Sequence, residues 1–222
     1  MKKIVIIGAN DFQNQLILKA KEMGFETHVF AWQDGSIGEK TADYFYPISI
    51  VETDAILEKC REIQPDAVTT IASDLANITV SKVAAGLGLP GNTSECIEIS
   101  TNKYAMRSAF KKAGLPTPAF YKVDHVTDEL YQMQLPIIVK PTDRSGSRAI
   151  TKITDFKDLP EAVRQAVGQS FEKKAIVEEY IEGNEYSYET ISYHGTHTNL
   201  AVTKKYTTGA PHFIETGHVQ PS

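Results

Sequence analysis

Only two cysteines occur in the 222 residues, Cys60 and Cys96, far apart and in helix-like or capping contexts. That scarcity argues against a disulfide framework and against a CxxC metal site, and it fits a reducing compartment. Positive charge is also in short supply. The 23 Lys and Arg set against 28 Asp and Glu give a formal charge of −5, which disfavours a nucleic-acid backbone or an anionic membrane as the main partner. Any cationic site must therefore be local. Long apolar runs are missing as well: Met1-Lys2-Lys3 precedes only Ile4 to Ile7, too short for a signal-peptide core or a membrane span. A soluble, cytoplasmic protein is the expectation. No repeat or low-complexity tract breaks the chain, and its length suffices for one large domain or two small ones with a core that needs no staple.

Glycine is sparse where a dinucleotide site would need it. The stretch GANDFQ after the first apolar run lacks the second and third glycines of GxGxxG, which argues against NAD binding. What is present is an alternating order of elements. KIVII (residues 3–7) reads as a buried parallel strand, followed by a helix whose apolar positions Phe12, Leu16, Ala20 and Met23 share one face and which Gly24 closes. ETHVFAW is the next strand, Asp54 to Ile63 the next helix, stopped near Pro65, and AVTTIA a third strand. This βαβαβ pattern predicts a Rossmann-like, doubly wound parallel sheet with ligands beyond the carboxyl ends of its strands. Asp74 lies at one such end.

A helix from about Leu75 to Leu87, a Gly-Leu-Pro-Gly turn at 88–91 and the helix TNKYAMRSAFKKAG follow; the last is expected to bury Ala105, Met106, Ala109, Phe110 and Ala113. Pro116 and Pro118 after Gly114 mark the domain boundary. The expected organisation is 1–116, an α+β unit over 117–181, and the start of a third unit over 182–222, where EYSYETISY and NLAVTKKYT form a hairpin around His194-Gly195.

The run PIIVKPTDRSGSRAI (136–150) ends a β-branched strand on Lys140, and a strand that carries a charge inward calls for an anionic partner. The P-loop pattern GxxxxGK[ST] does not fit, because Lys140 comes six residues before Gly146. A lysine here either serves an anion, snorkels to water or pairs with a carboxylate on the same sheet. Farther on, VEEYIEGNEYSYE joins two units through one strand, whose backbone edge suits a flat heterocycle, and Glu185 sits seven residues beyond Glu178, in reach of ribose hydroxyls. Taken singly, Glu178 and Glu179 also read as an exposed pair, Glu185 as a solvent-facing strand residue and TDRSGSRA as a hairpin turn.

In order and spacing these four stretches resemble the ATP-grasp superfamily of ligases, in particular the carbamoyl-phosphate-synthetase large chain and the L-amino-acid ligases. The resemblance implies a pre-ATP-grasp Rossmann-like domain, then an ATP-grasp lid and the incomplete second ATP-grasp subdomain. It gives Lys103, in STNKYAMRSAFKKAGLPTP, and Lys140 the phosphates, and the Ser145-Gly146-Ser147 turn the mobile loop that covers them through backbone N–H groups. Glu178 would reach the exocyclic amine, the Glu179 carbonyl and the Ile181 amide, on either side of Tyr180, would read the base edge, and Glu185 would hold the ribose.

It also implies that the N-terminal domain helps form the acceptor site, with Asn10 and Asp74 as substrate contacts, although Asp74 equally suits a helix cap. In PHFIETGHVQPS, Glu215 and His218 would face the acceptor. The implied function is the ATP-binding portion of a ligase that joins a carboxylate to an amine, a thiol or bicarbonate through an acyl phosphate. Its cofactors would be ATP and Mg2+, its partners small-molecule carboxylates and amines, and its assembly a homodimer as in many relatives. The metal ligands are expected beyond residue 222, none within this chain, so the chain alone is expected to be inactive and the catalytic residues stay unassigned. Two other readings stay open: a nucleotide-binding module without chemistry, and a Rossmann-type oxidoreductase, which GANDFQ disfavours.

Overall fold

The computed structural model describes residues 1–210 and 213–221, organised as two compact units, Met1–Thr101 and Asn102–Ser222. In the first unit, β1 (Lys3–Ile7), β2 (Glu26–Phe30), β3 (Tyr44–Tyr46) and β4 (Ala67–Thr69) form one sheet in the order β3-β2-β1-β4, every pair parallel. Helices α1 (Asp11–Glu22), α2 (Ile37–Thr41), α3 (Thr53–Ile63) and α4 (Asp74–Leu87) connect the strands, and α5 (Ser94–Thr101) closes the unit. Successive side chains of β1 point to opposite faces. Val5 and Ile7 pack with Ile56, Cys60 and Val83, whereas Ile6 packs with Ile17, Ala20 and Val29. Each such fully buried aliphatic side chain contributes roughly 1.5–3 kcal/mol. The Cys60 thiol is part of this core, and burial pushes its pKa up to about 12, so it acts as a small apolar side chain.

The expected apolar face of α1 is corrected by the structure. Gln13, Asn14, Ile17 and Ala20 are buried, while Phe12 is 65% exposed and Met23 is exposed as well. The helix start fixes this rotation. Asn10 caps it, accepting from the Phe12 and Gln13 amides, and the Gln13 side chain returns a bond by accepting from the Asn10 amide, then donates to the Ile71 carbonyl. Two amide side chains thus occupy the inward face, an arrangement to which hydrophobic periodicity is blind. Gly24 ends the helix at φ +81°, as expected.

In the second unit, α6 (Lys103–Lys112) precedes a sheet of β5 (Phe120–Val123), β6 (Ile137–Pro141), β7 (Thr151–Ile153) and β8 (Ala175–Glu179), in the order β5-β8-β6-β7 with antiparallel pairs. One face of this sheet, through Val123, Ile137, Val139, Ile153, Ala175 and Val177, packs on Leu130 and on α7 (Leu159–Gln169). A second sheet holds β9 (Glu185–Tyr193), β10 (Thr196–Thr207) and β11 (Glu215–Val219) in the order β11-β10-β9. Its hairpin turns at His194 and Gly195, both with positive φ, as the two-residue turns that match strand twist require.

The first compact unit ends at Thr101, before α6, and not at the double proline expected to separate 1–116 from the rest. The reason lies in the start of the helix. The Lys103 amide donates to the Thr142 carbonyl at 2.7 Å, the Asn102 side chain donates to Glu172, and Tyr104 meets Phe120 edge to face. Nor does α6 bury the five residues expected of it: none of its side chains is fully buried, and Ala113, its cap, is exposed. Within its unit the helix leans on β5 along one edge, which leaves its residues half-covered.

Gly38 marks a close approach in the first unit. Its amide donates to the Ala9 carbonyl at 2.9 Å, and a Cβ at this position would stand 2.6 Å from that oxygen and 2.8 Å from the Ala9 Cα. Both obstacles are backbone, so nothing can swing aside. Gly38→Ala is expected to destabilise the protein by about 1–3 kcal/mol, read as a lower urea midpoint at unchanged slope; an unchanged midpoint would mean that α2 can move off Ala9 without loss.

Candidate functional site

The second face of the β5-β8-β6-β7 sheet is built differently from the first. Cross-strand register places Phe120 and Ile138 opposite Glu178, Lys122 opposite Ile176 and Lys152 opposite Ile138, and Lys140 follows two residues along on the same face. At its centre Glu178 is 4% exposed. One of its oxygens accepts from Lys140 Nζ, and the other accepts from Arg107 Nε at 3.0 Å. Burial alone would raise the Glu178 pKa. Lys140, by charge and hydrogen bond, and then Arg107 outweigh burial and hold it below the ordinary value of 4.5.

Arg107 comes from α6, one turn after Lys103. Spacing of four residues puts both cations on one helix face, and that spacing is the signal by which Arg107, not anticipated from sequence, was available. The Lys103 ammonium donates to the Arg144 carbonyl in the loop after β6. Two more ammonium groups lie over rings on the same side: Lys122 over Tyr104 at 4.7 Å and Lys152 over Tyr180 at 3.7 Å. Of these five cations two, Lys140 and Arg107, touch the buried carboxylate, in a chain whose net charge is −5. The cationic patch is local, as the composition requires.

The loop that follows Lys140 is tied at both ends. Asp143 accepts from the amides of Phe171 and Glu172, and the Arg144 guanidinium lies 4.4 Å from the Phe171 ring centre. Toward the tip, Ser145 is exposed, Gly146, Ser147 and Ala149 have positive φ, and the Ser147 hydroxyl donates to the Phe213 carbonyl at 2.9 Å. Glycine at 146 adopts this geometry without steric cost, whereas Ser147 and Ala149 do not.

The expected base-reading segment begins where β8 ends. The Glu179 amide donates to the Ala119 carbonyl and the Tyr180 amide to the Pro136 carbonyl, so the strand is paired on both sides up to that point; Ile181, just past it, is exposed. The Glu178 carboxylate, expected to meet an adenine amine, instead has both oxygens engaged by cations. On the neighbouring sheet, register sets Glu185 and His218 on either side of Lys205. Lys205 Nζ is 2.7 Å from Glu215 and 3.6 Å from Glu185, and His218 Nε2 is 3.8 Å from Glu215. Burial would lower the Lys205 pKa, but Glu215 and then Glu185 outweigh it and raise it. The residues assigned from sequence to ribose and acceptor therefore share one lysine that sequence reasoning missed; only strand register brings them together. Of PHFIETGHVQPS, Pro211, His212 and Ser222 lie outside the described residues.

In the first unit, the carboxyl ends of β1, β2 and β4 surround a cavity of about 400 Å3 that Asn10 lines. Asp74 does not line it, though its neighbours Ser73 and Leu75 do. Ser73 is also the helix cap, accepting from the Ala76 amide at 3.1 Å, which leaves Asp74 as the first residue of α4. Among the described residues, no group of three or more His, Cys, Asp or Glu could hold a metal ion, and no helix is long and apolar enough to cross a membrane.

A family model described as an ATP-grasp domain matches residues 100–222. The chain is 30% identical to the alanine–anticapsin ligase of Bacillus subtilis, over 71% of this chain and 38% of that protein. It is 25% identical to a formate-dependent phosphoribosylglycinamide formyltransferase of Sulfolobus acidocaldarius, over 98% and 58%. The crystal structure of an L-amino acid ligase from Bacillus licheniformis superposes with a TM-score of 0.81 at 26% identity, over 97% of this chain and 53% of that one. This chain spans about half the length of the relatives it matches.

The Glu178 geometry makes a prediction about pH. Since its folded pKa lies below the ordinary 4.5, the carboxylate contributes stability that is fully present above that value and lost as pH falls through the folded one. Glu178→Gln leaves Lys140 and Arg107, with side chains only 16% and 26% exposed, facing each other without a counter-charge. At pH 7 the variant should be less stable by about 3–5 kcal/mol, toward the lower figure because both cations keep some water. In denaturant titrations the gap from the parent should narrow as the pH drops below 4.5; a gap independent of pH would assign the loss to packing.

Proposed function

The chain belongs to the ATP-grasp family, and on that premise we propose that it is the nucleotide-gripping portion of an ATP-dependent carboxylate–amine ligase. The observation that carries this reading is the cationic face between α6 and the lid sheet, where Lys103, Arg107 and Lys140 converge on one loop and one buried carboxylate. Such a face suits a polyphosphate better than any other common metabolite group. Residues 117–181 are then the lid and 182–222 the opening strands of the second subdomain. Adenine meets the Glu179 carbonyl and the Ile181 amide, on either side of Tyr180, and the ribose is held by Glu185. The turn Ser145-Gly146-Ser147 supplies amides to the phosphates.

In this scheme a carboxylate oxygen of the substrate attacks the γ-phosphorus and the bond to the bridging oxygen breaks, so that ADP leaves with the electron pair. The resulting acyl phosphate is attacked at carbon by an amine, which loses a proton as phosphate departs. The chain's own side chains do no covalent work. They position the reactants and stabilise charge as it shifts from the γ-phosphoryl to the leaving oxygen. Glu178 has a supporting part. It holds Lys140 and Arg107 extended over the sheet, and the carboxylate is spared full burial cost because both cations are hydrogen-bonded to it. Relatives named for alanine–anticapsin ligation and for phosphoribosylglycinamide formylation fit the same two-step logic with different acceptors.

A charge-assisted hydrogen bond contributes roughly 1.5–3 kcal/mol, so Lys140→Ala should weaken ATP binding by about tenfold or more. Adenosine, which lacks phosphates, should bind the variant and the parent equally. Isothermal titration of both ligands against both proteins makes the comparison, and an unchanged ATP affinity would remove Lys140 from the phosphates.

A further inference from the structure

The cavity in the first unit has a chemistry opposite in sign to the cationic face. Its volume of about 400 Å3 lies in the range of small-molecule pockets. It sits where the sheet order reverses, between β1 with α1 on one side and β4 with α4 on the other, the usual ligand position in a doubly wound sheet. Among the described residues lining it there is no lysine, arginine or histidine, and Asp34 is the one charged side chain. Ser36 holds that carboxylate through its amide at 3.0 Å and its hydroxyl. A phosphate would meet a like charge here and no cation to offset its loss of water.

An aromatic ring lines the cavity as well. Trp32, the one tryptophan of the chain, is 67% exposed at the end of β2. Its indole N–H donates to the Ser49 hydroxyl, which fixes the ring plane without covering its face. A fixed, uncovered indole face in a cavity is suited to a flat apolar group and, at its edge, to an ammonium. Asp34 follows two residues later, its amide donating to the Trp32 carbonyl at 3.1 Å, so ring and carboxylate are set by one turn.

We propose that this cavity binds a phosphate-free acceptor that carries both a flat apolar group, stacked on Trp32, and an amine, paired with Asp34. Calling the ligand an acceptor rests on the ligase reading above; its chemical class rests on the cavity alone. A ligand of this kind brings the amine nucleophile that a carboxylate–amine ligase requires. A phosphoribosyl acceptor does not match the lining.

Trp32 reports on its own site, because no other tryptophan contributes to the emission. Titrating the nucleotide-free protein with L-phenylalaninamide should change that emission saturably. The same titration with 3-phenylpropanamide, which lacks the amine, or of the Asp34→Asn variant with L-phenylalaninamide, should need about tenfold or more ligand. Ribose 5-phosphate should leave the emission unchanged. Calorimetry on Trp32→Leu, whose fold is checked by circular dichroism and its urea midpoint, should show loss of L-phenylalaninamide binding. Saturable binding of ribose 5-phosphate, or equal binding with and without the amine, overturns the proposal. If L-phenylalaninamide binds as expected but ATP does not bind at all, the ligase reading falls and the pocket assignment stands.

Discussion

One buried carboxylate organises the second unit. Glu178 shares its sheet face with Lys122, Lys140, Lys152, Phe120, Ile138 and Ile176, and it joins β8 to β6 through Lys140 and to α6 through Arg107. Without it, the cations would repel one another across a half-dry surface. With it, the group carries a net positive charge held in fixed positions, which is the condition under which charges stabilise a ligand without first reorganising. The same contact helps to hold α6 in the second unit and not in the parallel-sheet unit that precedes it in sequence.

Much of the fold was legible because it follows from local rules. KIVII is a strand because β-branched residues suit a sheet buried on both faces. The helix stops at Gly24, Gly88 and Gly114 are left-handed residues where a side chain would be strained. The misplaced face of α1 shows where those rules end. Phe12 and Met23 have the spacing of a buried stripe, yet Gln13 and Asn14 turn inward because a capping bond at Asn10 and a carbonyl at Ile71, 58 residues away, fix the rotation. A long-range polar contact of this kind leaves no periodic trace.

The candidate site was legible to a similar depth. Lys103, Lys140 and the Glu178–Glu185 stretch were readable because their order along the chain matches a known pattern. What each touches was not. Arg107 was hidden by its ordinary helical setting, although its spacing from Lys103 announced a shared face. Lys205 was invisible in principle, since its neighbours Glu185, Glu215 and His218 reach it only through the register of three antiparallel strands. The boundary at Thr101 was missed for a related reason: prolines report where a helix must end, whereas the Lys103–Thr142 bond decides to which body the helix adheres.

Under the ligase function proposed above, the two units would divide the work of recognition by sign. A ligase of this type must hold one partner that is rich in negative charge and another whose nucleophile is an amine, and a single surface cannot favour both. The second unit holds Arg107 and Lys140 on Glu178, with Lys103 on the loop after β6 and Lys122 and Lys152 over aromatic rings. The cavity of the first unit contains Asp34 and no cation among its described lining residues. Each proposed site would therefore disfavour the other's ligand through electrostatics, before shape is considered. The overall charge of −5 does not prevent this, because what a ligand meets is the local arrangement of charges and not their sum.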